Sequence, residues 1–95
     1  MLRLPIGDFE NYETSRSITG ILSKVRTGVP VTWASDHGAY TVWIEKNWYI
    51  AEFHQYCITK ARCRVRTKRE LRQFLKGNWH YITGIQPDNG GIQGG

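Results

Sequence analysis

The stretch WYIAEFHQYCI, Trp48 to Ile58, decides the fold, because it can be read as a helix or as a strand. Ile50, Phe53, Cys57 and Ala61 recur at helical spacing, which would make Ile50 to Arg62 a helix. The same residues are rich in aromatic and β-branched types, and alternation sends Tyr49, Ala51, Phe53 and Cys57 to one side of a strand.

The residues upstream favour the strand. VPVTWA (Val29 to Ala34) and AYTVWIE (Ala39 to Glu45) also alternate, and SDHG and KN punctuate the three runs. A two-residue turn at Lys46 and Asn47 pairs Glu45 with Trp48, Trp43 with Ile50 and Ile44 with Tyr49. A four-residue loop, Ser35 to Gly38, pairs Ala34 with Ala39 and Trp33 with Tyr40. With both turns set, one face collects Val29, Val31, Trp33, Tyr40, Val42, Ile44, Tyr49, Ala51, Phe53 and Cys57. A slip of one residue would scatter this set over both faces, so three strands support one register together. The other face holds Thr32, Thr41, Trp43, Glu45, Trp48, Ile50, Glu52, His54 and Tyr56.

Downstream lies KARCRVRTKRELR, Lys60 to Arg72, with seven of the thirteen Lys and Arg residues of the chain. Ala61, Cys63 and Val65 alternate with Lys60, Arg62, Arg64 and Arg66, which reads as a fourth strand with one apolar and one cationic face. A three-residue connection, Thr59 to Ala61, would set Arg62, Arg64 and Arg66 against Ile58, Tyr56 and His54, and Cys63 against Cys57. In that register Cys57 and Cys63 would join on mild oxidation.

Helices flank the sheet. Ile18, Ile21, Leu22 and Val25 form one helical stripe within Ser15 to Arg26, with Thr14 or Ser15 as N-cap and Gly28 beyond the end. Gly20 inside it marks either a stability cost or a close contact. Thr67 and Glu70 make a capping box that starts a second helix, with Leu71, Phe74 and Leu75 inward and Gly77 as its stop. Lys68, Arg72 and Lys76 follow at four-residue spacing on its outer side, with Arg69 beside them. The preceding LPIGDFENYE reads as an irregular arm, and NWHYITGIQ as a short strand or docked segment.

The expected fold is therefore α+β: an N-terminal helix, an antiparallel meander of three to four strands, and a C-terminal helix, with both helices on one face of the sheet. Residues 1–83 form one domain, since 95 residues suffice for a single core, and the Gly-rich 84–95 read as a flexible tail. The short, charge-interrupted apolar runs and the absence of a secretory pattern point to a cytoplasmic chain with no membrane segment. Two cysteines do not make a disulfide framework. His54, Cys57, Cys63 and His80 lack the paired spacing that preorganises zinc, so no metal and no cofactor is expected.

The net charge of +5 is unevenly placed: Lys60 to Lys76 carries eight cations against one acid, and the rest of the chain is slightly acidic. Concentrated charge of this kind is an address for polyanions. The leading expectation is a nucleic-acid-binding module for RNA or single-stranded DNA. Lys60, Arg62, Arg64, Arg66, Lys68, Arg69, Arg72 and Lys76 would hold phosphates while Trp43 or Tyr56 stacks on bases. Against it, Glu45 and Glu52 share the predicted face, and Trp43 and Trp48 can equally be covered by the arm or the C-terminal segment.

A second reading is an adaptor or inhibitor for an acidic surface of a host protein, in the manner of small basic phage and mobile-element proteins. A third is a small ribonuclease with Glu52 and His54 as base and acid and Arg64 as phosphate clamp, His80 being a further candidate. Glu-x-His on a strand is a weak pattern, and a cross-strand ion pair explains Glu52 and Arg64 as well.

Overall fold

The computed structural model describes residues 9–84. Its order is β1 (Glu13–Thr14), α1 (Ile18–Lys24), β2 (Val31–Ala34), β3 (Ala39–Glu45), β4 (Trp48–Gln55), β5 (Ile58–Val65), α2 (Lys68–Asn78) and α3 (His80–Thr83). Five strands form one sheet in the order β1-β2-β3-β4-β5. The α+β class stands, but the sheet is larger than the expected three to four strands and is mixed. Part of the supposed irregular arm forms β1, which pairs parallel to β2 through Glu13 with Val31 and Thr14 with Thr32.

Trp48 to Gln55 is a strand, so the helical reading of Ile50 to Arg62 is wrong. The register of β2, β3 and β4 is the one the turn residues dictate: Ala34 faces Ala39, Trp33 faces Tyr40, Glu45 faces Trp48 and Trp43 faces Ile50. Lys46 and Asn47 take the two left-handed positions of the connecting turn, at φ 51° and 69°.

The β4–β5 register differs from expectation. The chain reverses at Tyr56 and Cys57, both left-handed at φ 52° and 65°, and Gln55 pairs with Ile58. Arg62 therefore lies opposite Glu52, Arg64 opposite Ile50, and Cys63 opposite Ala51. A bulge at Phe53 and His54 sets Thr59, rather than Lys60, beside His54.

The cysteines are consequently not neighbours. Cys57 is exposed in the turn, not on the core face, and Cys63 is half-buried farther along β5. Mild oxidation should leave two free thiols despite the sheet. Burial pushes the Cys63 thiol up to about 11, so little thiolate forms near neutrality. Limited alkylation followed by mass mapping should label Cys57 first; faster labelling of Cys63 would contradict this placement.

The core lies between the sheet and the helices. Ile21, Val31, Tyr40, Val42, Phe53, Leu71, Leu75 and Ile82 are buried together there. Phe53 touches the rings of Tyr40, Phe74, Trp79 and Tyr81. The Tyr40 hydroxyl donates to the Ser15 carbonyl, tying the entrance of α1 to the sheet, and burial raises the phenol pKa.

Helix α1 is shorter than the expected Ser15 to Arg26: its N-cap is Ser17, not Thr14 or Ser15, and accepts from the Gly20 N–H, and it ends at Lys24 with Val25 as C-cap. Gly20 marks a close contact, since a Cβ there would fall 2.1 Å from Ser15 Oγ. Thr67 and Glu70 form the expected capping box. Gly77 does not stop α2, which runs to Asn78. The segment expected as a short strand or docked arm forms α3, ended by Gly84 in the left-handed conformation. The flexible tail assigned from 84 onward lies, beyond Gly84, outside the described residues. Among the described residues no helix is long and apolar enough to cross a membrane.

Candidate nucleic-acid interface

The sheet face turned away from the helices carries the polar set. Thr41, Trp43, Ile50, Glu52 and His54 lie on it, and all are buried. Trp43 is 6% exposed, and its indole N–H donates to Glu45 Oε1 at 3.2 Å. It offers no open ring for a base, which removes it from the stacking role expected of it. Tyr56 leaves the face altogether, because the turn projects it from the end of the sheet, where it is 87% exposed.

The cations fall into three groups. Arg62 donates from Nη1 to Glu52 Oε2 across the β4–β5 ladder; the ion pair expected for Arg64 belongs to Arg62. Arg64 and Arg66 both stack on Trp48, with guanidinium carbons 4.3 and 4.0 Å from the ring centroid. Stacking fixes the planes of both groups while leaving their N–H edges able to donate. Lys60, Lys68, Arg69, Arg72 and Lys76 are exposed on β5 and α2. Glu70, the one acid in this segment, is engaged by the Thr67 backbone and hydroxyl.

Trp48 is the residue that sequence reasoning underused. Its signal was present in the two-residue turn, which puts Trp48 at the start of β4, where the alternation of β5 delivers Arg66 and Arg64.

Glu52 and His54 meet, as the alternation predicts, with His54 Nε2 3.2 Å from Glu52 Oε1. The nitrogen is off the hydrogen-bonding direction. His54 Nδ1 stands 3.2 Å from Thr59 Oγ1. Glu52 is 7% and His54 3% exposed, and Glu52 is held by Arg62. Glu52 and His54 are thus a buried polar pair covered by the more exposed Arg62, not an open acid and base flanking a reacting phosphate. Arg64, engaged with Trp48, is not part of it. His80 stacks on Tyr81 at 4.2 Å in α3, apart from the strand carrying Glu52. His54, Cys57, Cys63 and His80 do not converge, and among the described residues no group of three or more His, Cys, Asp or Glu is placed to hold a metal ion.

Burial holds the His54 imidazole below its usual pKa, with the Glu52 charge pulling the other way. The unfolded chain then binds this proton more readily than the folded one, so the contribution of His54 to stability is full above the ordinary histidine pKa and declines as pH falls through it. Thermal melts from about pH 8 to about pH 5 should show the wild type losing stability by at most about 1.4 kcal/mol per pH unit, with a shallower slope in His54→Gln. Equal slopes would show that His54 is not the group responsible.

At one end of the sheet the β2–β3 loop and the β4–β5 turn enclose a cleft of about 320 Å³ lined by residues 34–39 together with His54, Tyr56 and Cys57. The loop is fixed: Ser35 Oγ donates to the Ile82 carbonyl at 2.7 Å, and a Cβ at Gly38 would fall 2.6 Å from the carbonyl oxygens of both His54 and Tyr81. Against this geometry, comparison with protein-family models, curated proteins and solved structures finds no match to the chain.

Proposed function

We propose that the protein binds single-stranded nucleic acid along the cationic strip formed by β5 and the outer side of α2. The observation that carries this reading is the pair of guanidiniums, Arg64 and Arg66, stacked on Trp48. Lys68, Arg69, Arg72 and Lys76 of α2 follow it in the sequence and are exposed. Side chains two apart on a strand repeat at about 6.6 Å, a step close to the phosphate spacing of an extended single strand. Arg62, Arg64 and Arg66 thus offer successive phosphate contacts, with Arg62 shared with Glu52 and Lys60 beside them at the bulge. Phosphate contacts of this kind give affinity with little sequence readout.

The test is fluorescence anisotropy of labelled single-stranded RNA, single-stranded DNA and duplex DNA over a range of salt. Tight, salt-sensitive binding of the single strands is expected, and absence of binding to all three at low salt would end the proposal.

A second reading, an adaptor for an acidic protein, draws on the position of β5 at the sheet edge. Among the described residues it pairs with β4 alone, so an extended acidic segment could add to it with carboxylates opposite Arg62 and Arg64. Copurified absorbance at 260 nm that nuclease removes favours nucleic acid; a nuclease-resistant protein partner favours the adaptor.

A further inference from the structure

The β4–β5 turn is built from the wrong residues for its shape. A two-residue turn with both positions left-handed is most stable with Asn-Gly or Asp-Gly, yet Tyr56 and Cys57 occupy it at φ 52° and 65°. A bulky residue at positive φ is an outlier that surrounding structure must hold in place. Here the strain displays an aromatic ring almost wholly to solvent. Ile58 beside it is also exposed, at 56%, so the turn sacrifices both backbone ease and apolar burial.

Tyr56 also lines the 320 Å³ cleft, together with residues 34–39, Asp36 among them, and with His54 and Cys57. The volume lies at the small end of ligand sites and suits one planar ring system with its sugar. His54 Nδ1 stands 3.2 Å from Thr59 Oγ1, and Nε2 is buried 3.2 Å from Glu52 Oε1 without a hydrogen bond, so Nδ1 is engaged and Nε2 is closed to the cleft. Ala34 and Ala39 leave the space open, while Ser35, Asp36 and His37 bring polar groups to its lining. Lys60 and Arg62 lie on β5, the strand that leaves this turn, so a backbone following the cationic strip arrives here.

We infer that the cleft receives one unstacked base of the bound single strand, packed against Tyr56, and that the strained turn exists to hold that ring in place. This rests on the proposed binding of single strands and adds to it the position at which a base, not only a phosphate, is recognised. A base within a duplex cannot enter, because its faces are covered by neighbouring pairs, which gives the strip its preference for single strands.

The test uses the full chain, a short labelled thymidine oligonucleotide, and an abasic phosphodiester strand of equal length. The wild type should bind the thymidine strand about tenfold more tightly than the abasic one. The double variant Tyr56→Asn, Cys57→Gly relieves the turn and should melt roughly 5 °C higher. It should bind the abasic strand as the wild type does, with the same salt slope, and lose the preference for bases. Ala39→Leu, which fills the cleft and leaves the turn alone, should lose the same preference. Equal binding of both strands by the wild type, or a preference retained by the double variant, would overturn the inference while leaving phosphate binding intact. Preference lost in the turn variant but kept in Ala39→Leu would overturn the cleft as the base's seat. Binding of neither strand would remove the nucleic-acid reading, and this inference with it.

Discussion

Phe53→Ala is expected to abolish the cooperative unfolding transition at ordinary temperature. Phe53 is fully buried at the middle of β4, with ring centroids of Phe74 at 5.8 Å and of Tyr40, Trp79 and Tyr81 each at 6.2 Å. Those four neighbours come from β3, α2, α3 and the residue between the two helices, so the cavity left by truncation would sit where every layer meets. Collapse to fill it would require several large rings to move at once. Deleting such a side chain costs about 3 to 5 kcal/mol, and small domains have total stabilities toward the low end of about 5 to 15 kcal/mol. Circular dichroism melts check this directly. Ile58→Ala, at an exposed position on the next strand, should stay within about 0.5 kcal/mol of the wild type. A near-normal melting temperature for Phe53→Ala would mean that the side chain does not occupy the core.

Arg64→Ala, Arg66→Ala should lose most of the measured affinity for single strands while the fold survives. The two guanidiniums rest on Trp48 at the surface and carry none of the core packing. If each meets one phosphate, loss of both lowers the salt dependence by about 1.4 units of slope on single strands. At about 0.1 M salt the same counterion term, taken against a 1 M reference, corresponds to roughly 25-fold weaker binding. Anisotropy titrations at several salt concentrations separate this from a general defect, because the slope and the affinity must change together. Unchanged slope with weakened binding would mean that the arginines act through Trp48 and not on phosphates. Full retention of affinity would move the site to α2.

The meander was legible from Val31 to Gln55 because two independent constraints agreed there, whereas Val29, expected in the first strand, lies in an isolated bridge with Arg26. Turn residues at Ser35 to Gly38 and at Lys46 and Asn47 fixed the registers, and alternation assigned the faces. Beyond Gln55 only alternation remained. Tyr56 and Cys57 carry no turn signal, since neither removes the steric cost of positive φ, so the reversal was placed too late and every β4–β5 partner shifted with it. The bulge at Phe53 and His54 has no residue signature either. Gly77 misled in the opposite direction: a glycine can end a helix, but nothing lies within 4 Å of where its Cβ would be, and α2 simply continues past it.

Of the site, the cationic strip was readable because charge sequence survives any register. Which aromatic residue it would use was not. Alternation puts Trp43, Trp48 and Tyr56 on one face, but it does not reveal that Trp43 is enclosed, that Trp48 carries two arginines, or that Tyr56 stands off the end of the sheet. The capping box at Thr67 and Glu70 was readable to the atom, because it depends only on residues three apart.

The strand order has a kinetic corollary. From β2 to β5 every strand hydrogen-bonds to the next one in the chain, so each pairing closes a loop of only a few residues. Hairpins of this sort form in about 1 to 10 μs, and low sequence separation between partners speeds folding of the whole. The exception is β1, whose parallel union with β2 must wait for α1 to cross between them. The meander can therefore zip early, with the N-terminal strand and α1 closing over it last, and that end of the molecule should be the first to open in hydrogen exchange.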